Sequence, residues 1–355
     1  MVVYVVKEDR RLGLFATPYS FFLYLLKFGY DNEDILIFTH AFPRNICKNL
    51  NPMQVIFMNG QRLAPFNSFK GIFTNIIGVL KHLYGYIKLR FILFFKNKKY
   101  NIINYGHAHT PFSFMFYENE NSYIIEDGLL NYIPDIQETH KINPIIDKFL
   151  HFCGIYSLSI KESLGSHKNI KKVYLTHENN HPLIKDKVEV LNIEKLWEDK
   201  TDKEKKEILE IFNIDMEKLT DLNDDCVLLL TQPLSEDNKN ENKNISYEEE
   251  ICIYTDIIER FSGMKIILKP HPREKKNYSK IFPDIEILDR SFPIELLHLT
   301  GLKPKVVASV VSTAVLNFLD SDIYVYNQET TSEYINSSID NLKKLLKEND
   351  KQIIQ

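Results

Sequence analysis

Short runs of Val, Ile, Leu and Phe alternate with longer helical patterns along most of this chain, which limits the fold more than any other feature. In the N-terminal half the runs are LGLFAT, DILIFT, QVIFMN, NIINYG and YIIED, with an apolar and basic helical stretch at residues 69–95 between the third and fourth. In the C-terminal half they are CVLLLT, MKIILKP, IEILD, KVVASV and DIYVYN, separated by helical patterns at residues 247–260, 293–299 and 313–319. Continuous apolar strands separated by helices belong in parallel sheets covered on both faces. Two such series within 355 residues predict an α/β chain of two doubly wound, Rossmann-like domains with an interdomain cleft. The expected division is 1–190 and 191–355. Residues 188–221, rich in Lys, Glu and Asp, read as a solvated helix and linker, and SEDNKNENKN as a mobile surface loop.

A net charge of −4 suggests no nucleic-acid partner, but the charge is uneven. No acidic residue lies between Asp34 and Glu118, while that interval carries Arg44, Lys48, Arg62, Lys70, Lys81, Lys88, Arg90, Lys96, Lys98 and Lys99. A basic, aromatic helix fits an anionic membrane surface. It fits equally an ordinary packed helix with solvated charges, or the interface of a homodimer. Arg10-Arg11 before LGLFATPYSFFLYLL has the look of a secretion signal, yet no small-residue cleavage site follows and DILIFT reads as a strand. No apolar run reaches the length of about 18 residues expected of a membrane span. Four cysteines without a C-x-x-C pair fit a reducing cytoplasm, with Cys226 and Cys252 read as buried thiols.

Four stretches carry possible chemistry. In YIIEDGLLNY, the Glu126-Asp127-Gly128 sequence ends a strand; it fits a tight turn, or a catalytic edge presenting a carboxylate. In LKPHPRE, Lys269, His271 and Arg273 crowd the carboxyl end of a buried strand, where open α/β sheets bind ligands, and Pro270 and Pro272 stiffen the loop. Such a basic cluster suits phosphate. In VVASVVSTAVLNFL, Ser312-Thr313 precedes an apolar helix, as either an anion site or a simple cap. In FATPYS, Thr17-Pro18 joins the first strand to its helix, in a loop expected to face the cleft.

Two further matches read as decoys. His177-Glu178-Asn179-Asn180-His181 spells the zinc-protease pattern, but Pro182 pushes His181 out of the α region. Asp320-Ser321-Asp322 resembles a metal–nucleotide motif, but it precedes its strand and so lies at the wrong sheet edge.

In order and spacing, Thr17-Pro18, Glu126-Asp127-Gly128, Lys269-Pro270-His271-Pro272 and Ser312-Thr313 together resemble the bacterial sialyltransferases of glycosyltransferase family 52. Their motif logic is similar to that of the families containing the marine-bacterial sialyltransferases and the capsule polysialyltransferases. The last motif departs from the pattern, with Val311 where a serine is expected, leaving open whether Ser312 or Thr313 meets the phosphate. The resemblance implies a GT-B fold, a CMP-sialic acid donor, no cofactor or required metal, and inversion at the anomeric carbon. It also implies a glycan or glycolipid acceptor, such as lipooligosaccharide or capsule, and peripheral work at the inner membrane face. On this reading Asp127 is the general base and His271, helped by Lys269 and Arg273, meets the leaving phosphate. Strand alternation turns Glu126 to the opposite face from Asp127. A hexosyltransferase using a nucleoside-diphosphate sugar, a zinc hydrolase built on His177, Glu178 and His181, and a non-catalytic glycan-binding protein are the alternatives.

Overall fold

The computed structural model describes residues 7–39, 42–58, 76–107, 112–128, 132, 165–179, 181–215, 225–236, 245–318, 320–348 and 353–354. Arg62, Lys70, Cys153 and most of SEDNKNENKN lie outside them. The chain forms two compact units, Met1–Phe212 and Asn213–Gln355.

The first unit is built on seven parallel strands: β1 (Glu8–Phe15), β2 (Ile35–Thr39), β3 (Val55–Met58), β4 (Tyr100–Gly106), β5 (Ser122–Ile125), β6 (Ile170–Leu175) and β7 (Val188–Val190). Their order in the sheet is β3-β2-β1-β4-β5-β6-β7, so the winding reverses between β1 and β4. Side chains alternate across the strands. Phe15 and Phe38 pack on one face with Phe21 and Tyr24 of helix α1 (Pro18–Phe28). On the other, Leu12, Leu14 and Ile37 join Leu89 and Leu93 of α2 (Ile76–Lys99) and Phe114 and Phe116 of α3 (Phe114–Glu118) in one core. Burial on both faces explains why these strands lack the polar alternation of a half-exposed sheet.

The segment expected as a solvated linker is more structured than its composition suggests. It holds α4 (Ile193–Glu198) and α5 (Asp202–Ile211), the latter started by a Thr201–Glu204 capping box. Its charges face solvent while Ile208, Leu209 and Ile211 are buried. Phe212 places its ring 6.0 and 6.2 Å from Phe21 and Phe22 of α1, so the stretch closes the first unit.

The second unit repeats the winding on β8 (Cys226–Leu230), β9 (Lys265–Lys269), β10 (Glu286–Ile287), β11 (Val306–Ser309), β12 (Asp322–Val325) and β13 (Ile353–Ile354). The order is β10-β9-β8-β11-β12-β13, with all neighbours parallel and the reversal between β8 and β11. Helices α6 (Tyr247–Arg260), α7 (Tyr278–Ile281), α8 (Ile294–Leu299) and α9 (Glu333–Glu348) connect them. The apolar stretch after Ser312, expected as an α-helix, is a six-residue 3-10 helix, Thr313–Phe318. Cys226 is buried as expected, whereas Cys252 lies exposed on α6. The start of the expected mobile loop is tied down: Glu236 accepts from the Lys275 N–H at 2.8 Å and pairs with Lys276 at 2.9 Å.

Candidate active site

In the first unit the carboxyl ends of β1, β4, β5 and β6 are neighbours in the sheet, and each contributes to one cluster. Thr17 follows β1 as the N-cap of α1, with Pro18 in the first turn, where a missing N–H costs nothing. Its hydroxyl accepts from the Ser20 N–H at 3.3 Å and donates to Asp127 Oδ1. Asp127 is 19% exposed, and its Oδ2 lies 3.7 Å from His107 Nε2. His107 follows β4 and is buried. Burial pushes its pKa below the ordinary imidazole value, and the nearby Asp127 pulls partly the other way. Gly106, just before it, adopts φ +137°, and a Cβ there would stand 2.0 Å from the Leu14 carbonyl oxygen. Only glycine lets β4 pass β1 closely enough to deliver His107.

The two adjacent carboxylates do different work. Glu126 is buried, and its Oε2 accepts from the Thr176 N–H at 2.6 Å, the Thr176 hydroxyl at 2.9 Å and the Tyr132 hydroxyl at 2.7 Å. Tyr19 of α1 donates to its Oε1 at 3.4 Å. Glu126 therefore fastens the ends of β5 and β6 together, while Asp127 keeps solvent access. Gly128 has φ +117° with open space where a Cβ would stand, so backbone conformation and not crowding calls for glycine.

In the second unit the loop after β9 is held by its own buried groups. Lys269, expected to face phosphate, turns inward: its Nζ donates to the Pro270 and Arg290 carbonyls at 3.1 and 3.3 Å and lies 4.6 Å over the Phe292 ring. Burial brings its pKa down to about 8. His271 Nδ1 accepts from the Arg273 N–H at 3.1 Å, which places the proton of the neutral ring on Nε2. The His271 N–H donates to Glu274 Oε2 at 2.7 Å. Glu274 is buried, and also accepts from the Tyr278 hydroxyl at 2.6 Å and from the hydroxyl of Thr231, just past β8. Burial raises its pKa, against the pull of these donors. Pro272 and Arg273 are exposed.

β11 flanks β8 on the other side, and Ser309 ties the two, its Oγ donating to Leu230 O at 3.2 Å and accepting from the Ser312 N–H at 3.0 Å. Ser312 is buried, its Oγ accepting from the Ala314 N–H at 3.3 Å, whereas Thr313 is exposed. The zinc-like residues do not assemble. His177, Glu178 and Asn179 follow β6 as a bend and coil, and His181 donates its N–H to Asn179 Oδ1 at 2.9 Å. Among the described residues no three His, Cys, Asp or Glu side chains cluster as metal ligands.

The chain matches Glycosyltransferase family 52 over residues 73–331, well over half its length. It belongs to that family. An uncharacterised protein of Haemophilus influenzae is 35% identical over 261 residues, covering 72% of this chain and 78% of that one. Among solved structures, the GT-B domain of a Photobacterium damselae sialyltransferase is similar at 14% identity, with a TM-score of 0.55 over 95% of this chain and 97% of that one. An α/β-galactoside α-2,3-sialyltransferase from Photobacterium phosphoreum is similar at 13% identity, TM-score 0.51, over 97% and 96%. A 2,6-sialyltransferase from Photobacterium sp. JT-ISH-224, solved with CMP and lactose, is similar at 12% identity, TM-score 0.56, over 96% and 76%. The architecture of this family 52 glycosyltransferase is thus the GT-B fold.

The family match takes in Glu126-Asp127-Gly128, the Lys269–Arg273 loop and Ser312-Thr313, while Thr17-Pro18 lies before it. Several residues of the two candidate clusters, one in each unit, have little signature in the sequence. His107 sits in the run NYGHAH, where the glycine before it is the available signal. Glu274 stands at the end of LKPHPRE, three residues from His271. Thr176 comes one residue before the zinc-like decoy, and nothing in its neighbours marks it.

Proposed function

We propose that the chain transfers sialic acid from CMP-sialic acid, with inversion and without a required metal, to a terminal sugar hydroxyl such as that of galactose. The acceptor is a bacterial surface glycan, lipooligosaccharide or capsule, built at the cytoplasmic face of the inner membrane, where the enzyme works as a peripheral protein. The observation that carries the reading is Asp127: a solvent-accessible carboxylate at a strand end, oriented by the Thr17 hydroxyl and backed by buried His107. Kinship with family 52 and a fold shared with sialyltransferases support it.

In the reaction the acceptor oxygen attacks the anomeric carbon as the bond from that carbon to the CMP phosphate oxygen breaks. Asp127 takes the acceptor proton, which becomes acidic only as the new bond forms. Positive charge gathers on the sugar ring, as in other glycosyl transfers. Negative charge gathers on the departing phosphate, where the Nε2–H of His271 donates and Arg273 and the Ser312-Thr313 hydroxyls assist. Lys269 and Glu274 act at one remove, by holding the loop that presents His271.

A donor screen tests this. CMP should raise the melting temperature more than UDP or GDP, CMP-sialic acid should be turned over, and EDTA should leave the rate unchanged. Turnover of a UDP-hexose with none of CMP-sialic acid would assign the site to a hexosyltransferase.

A further inference from the structure

The first histidine of the zinc-like pattern stands beside the catalytic carboxylate. Asp127 lies two residues past β5 and His177 two residues past β6, and these strands are neighbours in the sheet. Their ends are locked in register. The Glu126 N–H donates to the Tyr174 carbonyl at 3.0 Å, one step beyond the paired residues Ile125 and Tyr174. Adjacent strands run about 5 Å apart, so Asp127 and His177 leave the sheet at neighbouring positions of one edge.

His177 is exposed, yet it is held. Its N–H donates to the Tyr132 hydroxyl at 3.0 Å, and its ring stands perpendicular to the Tyr132 ring with centroids 5.7 Å apart. Its Nδ1 lies 3.1 Å from the Thr176 hydroxyl. That hydroxyl has a single proton, which goes to Glu126 Oε2 at 2.9 Å. Toward the ring, Thr176 Oγ1 can therefore only accept, so Nδ1 carries the proton of the neutral imidazole. Nε2 is left with a bare lone pair, and among the described residues no group bonds to it. A buried carboxylate thus sets, through one hydroxyl, the tautomer of an exposed ring.

We infer that His177 is a specificity residue of the acceptor site, its Nε2 accepting a hydrogen bond from a hydroxyl of the acceptor sugar other than the one that attacks. The proton that Asp127 takes belongs to the acceptor, so the sugar lying at this edge is the acceptor and not the donor. A bare ring nitrogen recognises a hydroxyl by its proton. Thr176 and Glu126 are positioning residues that act through the ring. The assignment rests on the proposed transfer to a sugar hydroxyl, and it names the atom that reads that sugar.

Ring-nitrogen NMR of the full chain, with isotope-labelled histidine, tests the tautomer. His177, assigned by its disappearance in His177→Ala, should carry its proton on Nδ1. Thr176→Val should move the proton toward Nε2, and Thr176→Ser should keep it on Nδ1. Adding methyl β-galactoside together with CMP should shift the Nε2 resonance. In kinetics, His177→Ala should raise the KM for methyl β-galactoside about tenfold with the KM for CMP-sialic acid unchanged; the loss is modest because water replaces the partner of an exposed group. Among mono-deoxy and mono-deoxyfluoro methyl β-galactosides, one position should cost the wild type about tenfold in kcat/KM in either form, since fluorine offers no proton. The same change should cost His177→Ala nothing further. A wild-type proton on Nε2, an Nε2 resonance unmoved by the sugar, a rise in donor KM alone, or equal losses in both proteins at every position would overturn the inference. The NMR readouts need no transfer, so loss of sialyl transfer counts against the proposed reaction and leaves this test standing.

Discussion

Thr17 Oγ1 donates a hydrogen bond to Asp127 Oδ1 across 110 positions of sequence, joining the cap of the first helix to the carboxylate at the end of β5. The same hydroxyl accepts from the Ser20 N–H, so one side chain both starts a helix and orients an acid. Asp127→Asn should lower turnover by about 10²–10⁴-fold with CMP affinity nearly intact, as loss of a general base does. Thr17→Val should cost about 1 kcal/mol of stability through the lost cap and lower kcat more than donor KM, and Thr17→Ser should restore both. Steady-state kinetics with denaturant titration would check this; wild-type turnover in Asp127→Asn would move the base elsewhere.

Glu126 should behave as a structural residue despite its neighbour. Glu126→Ala takes the buried carboxylate from the half-buried Thr176 N–H and hydroxyl and from the Tyr132 hydroxyl. Hydrogen bonds to a charged group contribute about 1.5–3 kcal/mol each, so Tm should fall clearly while CMP still binds the folded fraction. Differential scanning calorimetry beside CMP titration separates this outcome from a catalytic role.

His107 carries a pH signature. Its folded pKa lies below the ordinary imidazole value because burial penalises the charged ring. As pH falls through the unfolded value of about 6.5, the unfolded chain binds a proton that the folded chain resists, so stability is lost on the acid side of that value. Above it, both states are neutral and nothing is lost. His107→Gln should flatten this part of the stability–pH curve. Denaturant unfolding of both proteins at matched pH values would show it, and parallel curves would refute the assignment.

Glu274 holds the His271 loop by its backbone, at 2.7 Å, so its loss should act through loop position. Glu274→Gln keeps the size but gives up the charge that strengthens three accepted bonds. Donor KM should rise several-fold, with a smaller fall in kcat than His271→Ala produces. Kinetics of the two variants on one donor would rank them; equal kcat losses would place Glu274 closer to the chemistry than its burial allows.

Local patterns make the strand series legible, because a strand buried on both faces has few residue types to choose from. The edge is not: β10 is only Glu286–Ile287, although IEILD reads as a full strand. The carboxylates at β5 are also legible, since Glu126 and Asp127 are adjacent and followed by a glycine. What separates their roles lies mostly far off in sequence, in Thr17 on one side and Thr176 on the other, with Tyr132 the one nearby partner. Lys269 misleads for a related reason. Its type suggests an ion ligand, but its surroundings are decided by Arg290 and Phe292, about twenty residues on, whose contribution no short window contains. Charge-rich α5 misleads through composition, because three buried apolar residues per two or three turns suffice to dock a helix whose other positions are Asp, Lys and Glu.

Gly106 also limits how this scaffold can change. With the Leu14 oxygen 2.0 Å from where a Cβ would stand, no side chain fits there unless β1 and β4 separate. Those are the two strands at which the winding of the sheet reverses. A library of substitutions at this codon should therefore yield one survivor, and its losses should be losses of soluble protein before they are losses of rate. Diversification toward new acceptors would have to come through the loops beyond the strand ends, with this crossing kept as an invariant hinge pin beneath them.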